Sequence, residues 1–109
     1  MNVKMISIAK DYSDAPGGRY NEDGPFSGER FRDDYLIPAL NDRRNEVVQV
    51  DIGGVLGYGS SFLEEAFGGL IRRGFKARDL HARLRVVSGL DTYRKRIWKY
   101  IDDAAAVAA

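Results

Sequence analysis

Two adjacent serines follow a run of glycines in segment 57–70, which reads GYGSSFLEEAFGGL. The apolar residues after them recur every three or four positions, which predicts a helix that begins at these serines. Free backbone amides at a helix start favour a nearby anion such as a phosphate group. Ser60 is therefore the candidate exposed hydroxyl at this helix start, and the residues around it are candidate contacts for a partner or an anion: Ser61, Gly57, Tyr58 and Gly59.

The same two serines have a simpler explanation as helix caps. Serine is among the residues preferred at the N-cap, where its hydroxyl accepts a hydrogen bond from a free amide. Ser61 and Glu64 also have the spacing of a capping box. On this interpretation neither hydroxyl has a role beyond local structure, and both interpretations stay open at this point.

Two further polar residues are candidates for partner or anion binding. Asp51 ends a valine-rich stretch, and we expect its carboxylate to accept hydrogen bonds from amides of the following glycine segment. Arg19, in the segment PGGRY, carries a guanidinium that can hold an anion through two hydrogen bonds. The alternative for Arg19 is that it anchors its own loop.

The sequence contains no recognisable catalytic motif. No Gly-Lys-Ser/Thr follows the glycines, so a P-loop is excluded, and the glycines lack the spacing of a dinucleotide-binding fingerprint. Phe62 stands where a nucleophile elbow needs glycine. The single histidine, His81, is interpreted as an ordinary surface or half-packed residue. There are no cysteines and no cluster with metal-ligand spacing. We expect no enzymatic activity, no metal and no cofactor.

The charge distribution raises a second class of function. Residues 1–54 carry 7 Lys or Arg against 10 Asp or Glu, whereas residues 55–109 carry 10 against 6. This basic half predicts a surface that attracts phosphates, so nucleic-acid association is an alternative function. A small nucleotide or phosphate sensor between PGGRY and GYGSS is a further alternative. The apolar stretch before Lys10 is too short for a secretory signal, and we expect a cytoplasmic protein.

Strands and helices that alternate along the chain position these residues. Apolar β-branched stretches predict strands at 3–8, 46–52 and 84–88, and a short extra strand at 18–21. Helices are predicted after Ser27 and at the serine pair, at 77–83 and from Asp91. This order predicts one α/β domain over residues 1–109, with a mixed, mainly parallel sheet of three to five strands and about four helices.

Three finer expectations accompany this fold. The near-continuous valines of 46–52 predict a central strand that is covered on both faces. Gly68 and Gly69 weaken the second helix, and close approach of that helix to the sheet is the simplest compensation. The alanine-rich tail, residues 102–109, is expected to fray.

The order of elements, with a strand that ends in Asp51 and a glycine-serine-serine helix start, resembles the STAS domain of bacterial anti-sigma-factor antagonists. The segments PGGRY, GPFSGERFRDDYLIPAL and GYGSSFLEEAFGGL resemble more closely a bacterial STAS-like family of unknown function, over about residues 6–101. In STAS antagonists the turn reads Asp-Ser-Ser-Gly-Leu or Asp-Ser-Thr-Gly-Leu. Gly59 and Phe62 stand here in place of its aspartate and glycine.

The resemblance implies a function. In STAS antagonists the first hydroxyl of the turn is phosphorylated by a partner kinase of the ATPase type, and Ser60 occupies that position. The resemblance therefore implies a non-catalytic signalling module that regulates through protein-protein interaction, with a histidine-kinase-like ATPase as its partner and phosphoserine at position 60.

Overall fold

The computed structural model describes residues 1–108. Three strands form one parallel sheet: β1 (Val3–Ser7), β2 (Val47–Asp51) and β3 (Leu84–Val87). They lie in the order β1-β2-β3, so the valine-rich strand β2 is central, as predicted. In the register of the sheet, Ile6 is the partner of Val50, which in turn is the partner of Val86. The predicted small α/β fold is confirmed.

Four helices of seven or more residues follow or precede these strands. Two of them contain a π-helical turn between α-helical segments, Arg32–Leu36 in the first and Glu64–Gly68 in the second. The first turn lies just before Pro38, which has no amide hydrogen to donate to a carbonyl four residues back. The helices are α1 (28–41), α2 (60–72), α3 (Ala77–Arg83) and α4 (Asp91–Ala108), and a short π-helical turn, Ile8–Tyr12, follows β1.

The extra strand predicted at 18–21 is wrong, since the sheet within residues 1–108 has only the three strands above. The backbone of this segment supports the start of α1 instead. The amide of Gly28 donates to the carbonyl of Gly18 at 2.9 Å, and Asn21–Asp23 forms a 3-10 turn. A helix start has free amides that need acceptors, and this loop supplies two, since the amide of Glu29 also donates to the carbonyl of Arg19 at 3.0 Å.

The helices pack against one face of the sheet, so the expectation that β2 is covered on both faces is wrong. Ile6, Val48 and Val50 share a core with the helices. On the opposite face Met5 is 68% exposed, and Val47 is buried but lies outside that core. The strand order explains this arrangement, because successive right-handed crossovers in one direction place both connecting helices on the same side.

Close contact between α1 and α2 depends on Gly28. A Cβ at this position would lie 2.5 Å from the carbonyl oxygen of Phe62 and 3.2 Å from the amide of Ala66. Ser27, just before it, accepts a hydrogen bond from the amide of Arg30 at 3.1 Å and so caps α1 as predicted. The start of α1 therefore fixes the position of α2.

Helix α4 contributes buried side chains to the core. Its residues Ile97 and Ile101 are fully buried. Residues 102–108 of the tail that we expected to fray are helical, and Ala104 and Ala105 pack against the core. Alanine has the highest helix propensity, which favours this continuation. Ala109 lies outside the described residues. None of the helices in residues 1–108 is long and apolar enough to cross a membrane.

Candidate functional site

The loops that leave β2 and β3 meet at the carboxyl edge of the sheet. The carboxylate of Asp51 accepts a hydrogen bond from the amide of Gly53 at 2.8 Å, which is the loop-organising role considered for it. A Cβ at Gly53 would lie 3.1 Å from the Cβ of Ser88 in the loop after β3. The guanidinium of Arg94 in turn donates to the carbonyl of Gly89 at 2.8 Å. This edge is thus held by side chains from both loops and α4.

Tyr58 fastens the second half of the loop to the core. Its hydroxyl donates to the carbonyl of Ile52 at 2.8 Å, and its ring packs edge-on against Tyr93 with centroids 5.3 Å apart. Burial raises the pKa of Tyr58. Because Tyr58 is 7% exposed, its side chain offers little surface to a partner. Of the neighbouring candidates, Gly57 lies against the Tyr93 hydroxyl and Gly59 is exposed.

Ser60 and Ser61 are the first two residues of α2, and both are exposed. Gly59 takes the N-cap position, with extended φ and ψ of −75° and 149°, and no side chain caps this helix. The capping box expected between Ser61 and Glu64 is therefore wrong. Neither serine hydroxyl forms a hydrogen bond to a residue in the range 1–108, so both hydroxyls face solvent beside free helix amides.

Arg19 is engaged elsewhere. Its guanidinium lies 2.7 Å from a carboxylate oxygen of Glu64 and 3.1 Å from one of Glu65, one turn beyond the serines. Hydrogen bonds from Arg72 and then from Arg19 hold the pKa of the Glu64 carboxyl below its usual range. The structure thus shows Arg19 anchoring its loop to α2, and it does not join Arg19 to the Ser60 edge as an anion clamp.

A buried ion pair behind these residues was not anticipated from the sequence. Arg32 and Glu65 are 4% and 6% exposed, and Arg32 Nη1 lies 2.5 Å from Glu65 Oε2. Gly69 makes room for it, since a Cβ there would lie 2.6 Å from Arg32 Nη1. Gly68 lies against the Glu64 carboxylate and the backbone of Tyr100 in α4. The glycine pair therefore accommodates charged side chains and a neighbouring helix, and the expected approach to the sheet is wrong.

The remaining candidate for chemistry, His81, is a packed surface residue. Its ring stacks on Trp98 with centroids 4.5 Å apart, and Nε2 lies 2.7 Å from a carboxylate oxygen of Asp102. No group of three or more potential metal ligands occurs in residues 1–108. Both contacts of His81 are thus with side chains of α4.

The comparison with protein families agrees with this fold. Residues 27–93 match the family described as a STAS-like domain of unknown function (DUF4325). The match covers more than half of the chain, and the protein belongs to this family. Asp51 and segment 57–61 lie inside the matched region, whereas Arg19 lies outside it. Neither the curated proteins nor the solved structures gave a significant match.

Proposed function

We propose that this protein is a non-catalytic regulatory module that docks on a protein partner through the carboxyl edge of its sheet. The observation that carries the proposal is the placement of Ser60, whose exposed hydroxyl has no hydrogen-bond partner in residues 1–108 and stands at the start of α2. Its position matches the phosphoacceptor of the STAS turn. The family of the chain fits a regulatory interaction module.

Exposed apolar side chains on the same edge support docking. Leu56, in the loop after β2, has a relative exposure of 105%, and Leu90, in the loop after β3, has 64%. These loops contact each other through Gly53 and Ser88. Large apolar side chains that are exposed together at a rim are typical of protein interaction sites. A partner that covers them would also cover the start of α2.

The proposed partner is a histidine-kinase-like ATPase that uses ATP to phosphorylate Ser60. The Ser60 oxygen would form a bond to the γ-phosphorus of ATP while the bond from that phosphorus to the β-γ bridging oxygen breaks. ADP leaves, and the hydroxyl proton passes to a base of the kinase. The free backbone amides at the start of α2 would stabilise a phosphate group at this position. It adds about two negative charges, which change docking by attracting arginines or repelling acids.

The test is to incubate the purified protein with histidine-kinase-like ATPases of its source genome, with and without ATP. We expect binding that Leu56→Asp and Leu90→Asp weaken, and phosphate on Ser60 by mass spectrometry. Val107→Asp, which introduces the same charge at an exposed apolar residue near the other end of α4, is the matched control and should bind normally. Phosphate that persists in Ser60→Ala, or moves to Ser61, contradicts the assignment of Ser60. Binding that ignores both leucine variants contradicts the docking edge.

The nucleic-acid alternative has less support from the structure. Of the ten basic residues in the C-terminal half, several are already engaged, as Arg72 is with Glu64 and Arg83 with two backbone carbonyls. Those without an ion pair or hydrogen bond inside the described range are Lys76, Arg78, Arg85 and Arg96. The nucleotide-sensor alternative needs Arg19 to bind a phosphate, but the guanidinium of Arg19 is already paired with two glutamates. Neither is favoured over protein docking.

A further inference from the structure

One side of strand β1 has no partner strand. Within residues 1–108, β1 is at the edge of the sheet and β2 is its only neighbouring strand. The carbonyl of Asn2 accepts from the amide of Val47, so the backbone groups of even-numbered residues face β2 and those of residues 3, 5 and 7 face outward. The amide of Ser7 is already bound to the Asp11 carboxylate at 2.7 Å. The open part of the edge is therefore Val3 and Met5.

A groove runs beside this edge, between β1 and helix α1. It has a volume of about 700 Å³, and its floor includes Ile6, Pro38 and Ala39. Met5, at its rim, is 68% exposed, and Val3 is 42% exposed. The groove thus combines unpaired backbone with apolar surface, which is what an added strand needs.

The groove carries opposite charges at its two ends. Asp11 and Asp34 lie at the carboxyl end of β1. The Asp11 carboxylate accepts a hydrogen bond from the amide of Ser7, and the hydroxyl of Tyr35, the residue after Asp34, donates to the Asp11 carbonyl. Lys4 lies nearer the amino end. None of Lys4, Asp11 and Asp34 forms an ion pair with a residue of the described chain. The groove therefore has an unpaired cation at one end and unpaired carboxylates at the other, and the third carboxylate of its lining, Asp42, is paired with Arg44.

We propose that this groove binds the same groove of a second copy of the protein, with the two β1 strands antiparallel about a two-fold axis. An interface of this symmetry is self-complementary, because each patch meets an identical patch in the opposite direction. Lys4 of each copy then approaches Asp11 and Asp34 of the other. The two three-stranded sheets become one six-stranded sheet with no exposed edge at β1.

The charges also select the register of the two strands. A two-fold axis at Lys4 would place two ammonium groups directly opposite each other, which is destabilising. An axis at Met5 places Lys4 opposite Ile6 and lets the outward groups of the two Met5 residues exchange two hydrogen bonds. We therefore assign the axis to Met5.

An extended segment of another protein is the competing occupant, since exposed edges bind peptides in the same way. The second copy is favoured because both signs of charge are present in one groove, whereas a groove for a basic or an acidic peptide needs only one. The pairing of two short strands gives a small interface, so the dimer should be weak and concentration-dependent.

The absence of cysteine from the sequence permits a direct test of the register. In the assigned register the Cα atoms of the two residues at position 5 are about 5.5 Å apart, within the range of a disulfide. Those at position 3 are roughly 14 Å apart. We expect Met5→Cys to form disulfide dimers under mild oxidation at least tenfold faster than Val3→Cys. Leu56→Cys, exposed at another edge, measures random collision. Equal rates in the three variants overturn the proposal.

The charges are tested by sedimentation velocity over a wide range of concentrations. Lys4→Glu and Asp34→Lys should each raise the dimer dissociation constant at least tenfold, because each places like charges together across the axis. An equimolar mixture of the two variants should restore the association. Ser60→Ala should leave it unchanged, which separates this proposal from the docking function. Wild-type protein that is monomeric at about 1 mM, or a mixture that restores nothing, overturns the proposal.

Discussion

Glu65 shows how a buried charge is kept in this small core. One of its carboxylate oxygens contacts Arg32, and the other lies 3.1 Å from Arg19 and 3.3 Å from Arg72. Within residues 1–108, no buried side-chain nitrogen or oxygen lacks a hydrogen-bond partner. A buried ion pair contributes little when intact, but the removal of one partner leaves an uncompensated charge. The pair therefore acts mainly to fix how α1 lies on α2.

Removal of Arg32 should be costly for this reason. We expect Arg32→Ala to lower the free energy of unfolding by about 3 kcal/mol, measured by urea denaturation at pH 7. Arg32→Met combined with Glu65→Leu removes both charges and should recover most of the loss. Lys99→Ala, which breaks the exposed pair with Asp103, is the control and should leave the urea midpoint unchanged. A loss below about 1 kcal/mol for Arg32→Ala would contradict this role.

A second residue-scale effect concerns Tyr12, whose ring lies among Phe26, Phe31 and Tyr35. Its hydroxyl donates to the carbonyl of Ser27 at 2.8 Å. Burial is the main cause that raises the pKa of Tyr12 to about 12. An unfolded tyrosine ionises near pH 10. The stability that the neutral hydroxyl contributes is thus complete below pH 10 and is lost as the pH rises to about 12.

Tyr12→Phe should therefore change the alkaline pH dependence of unfolding. Between pH 10 and 12 the wild-type free energy of unfolding falls, and the variant should lose about 1.4 kcal/mol per pH unit of that slope. Burial also raises the pKa of Tyr58, so part of the slope remains. Urea titrations at pH 8, 10, 11 and 11.5 measure the effect. Phe26→Leu disturbs the same cluster without a titratable group and should keep the wild-type slope. Identical slopes for Tyr12→Phe and wild type would contradict the assignment of this alkaline pH dependence to Tyr12.

At the scale of elements, α2 carries both the exposed serines and the residues that hold it in place. Its first residues are free of side-chain caps, whereas Glu64 and Glu65, one turn later, are tied to Arg19, Arg32 and Arg72. A helix held by its second turn can present its first amides without losing its position. The glycines at 68 and 69 belong to the same arrangement, because they leave room for the side chains that hold it.

Gly69→Ala tests this arrangement. In an unhindered helix a change from glycine to alanine raises the free energy of unfolding by about 1 kcal/mol. Here the added Cβ clashes with Arg32, and we expect the free energy of unfolding to fall by roughly 1 to 3 kcal/mol. In an Arg32→Ala background the clash is absent, and the same change should become neutral or stabilising. Gly17→Ala, where nothing lies within 4 Å of the added Cβ, is the control. Thermal and urea unfolding measure the four variants. An equal loss in both backgrounds would show that Arg32 is not the cause.

Local patterns predicted the elements well and their packing poorly. The bounds of α3 and the start of α4 at Asp91 agree with the prediction, because the local periodicity of apolar residues determines them. The N-cap of α2 was predicted wrongly, because nothing in the local sequence indicates that Gly59 takes the N-cap position instead of a serine. The glycine pair signalled a cost that needed compensation, but the compensation comes from Arg32, 37 positions earlier in the chain than Gly69. Contacts of this kind have no periodicity that a sequence pattern can reveal.

At the scale of the whole molecule, the order β1-β2-β3 leaves three parts of the sheet uncovered by helices. The carboxyl edge carries Ser60 and the exposed leucines, the side of β1 carries the self-complementary groove, and the second face carries Met5 and Gln49. Parallel sheets are normally covered on both faces. A domain with this topology gains a compact core from one face while the rest of its sheet stays accessible to other chains.

Because the core lies on one face of the sheet, the same substitution at neighbouring residues of β1 should change the free energy of unfolding by very different amounts. Ile6 is 3% exposed in the core, whereas Met5, the next residue towards the amino end, is 68% exposed on the other face. We expect Ile6→Ala to lower the free energy of unfolding by about 2 to 5 kcal/mol. Met5→Ala should change it by less than about 0.5 kcal/mol. Urea denaturation at about 1 µM protein measures both, because at that concentration a weak dimer adds no stability. Comparable losses at the two positions would mean that a second layer covers the sheet, and the open face would have to be abandoned.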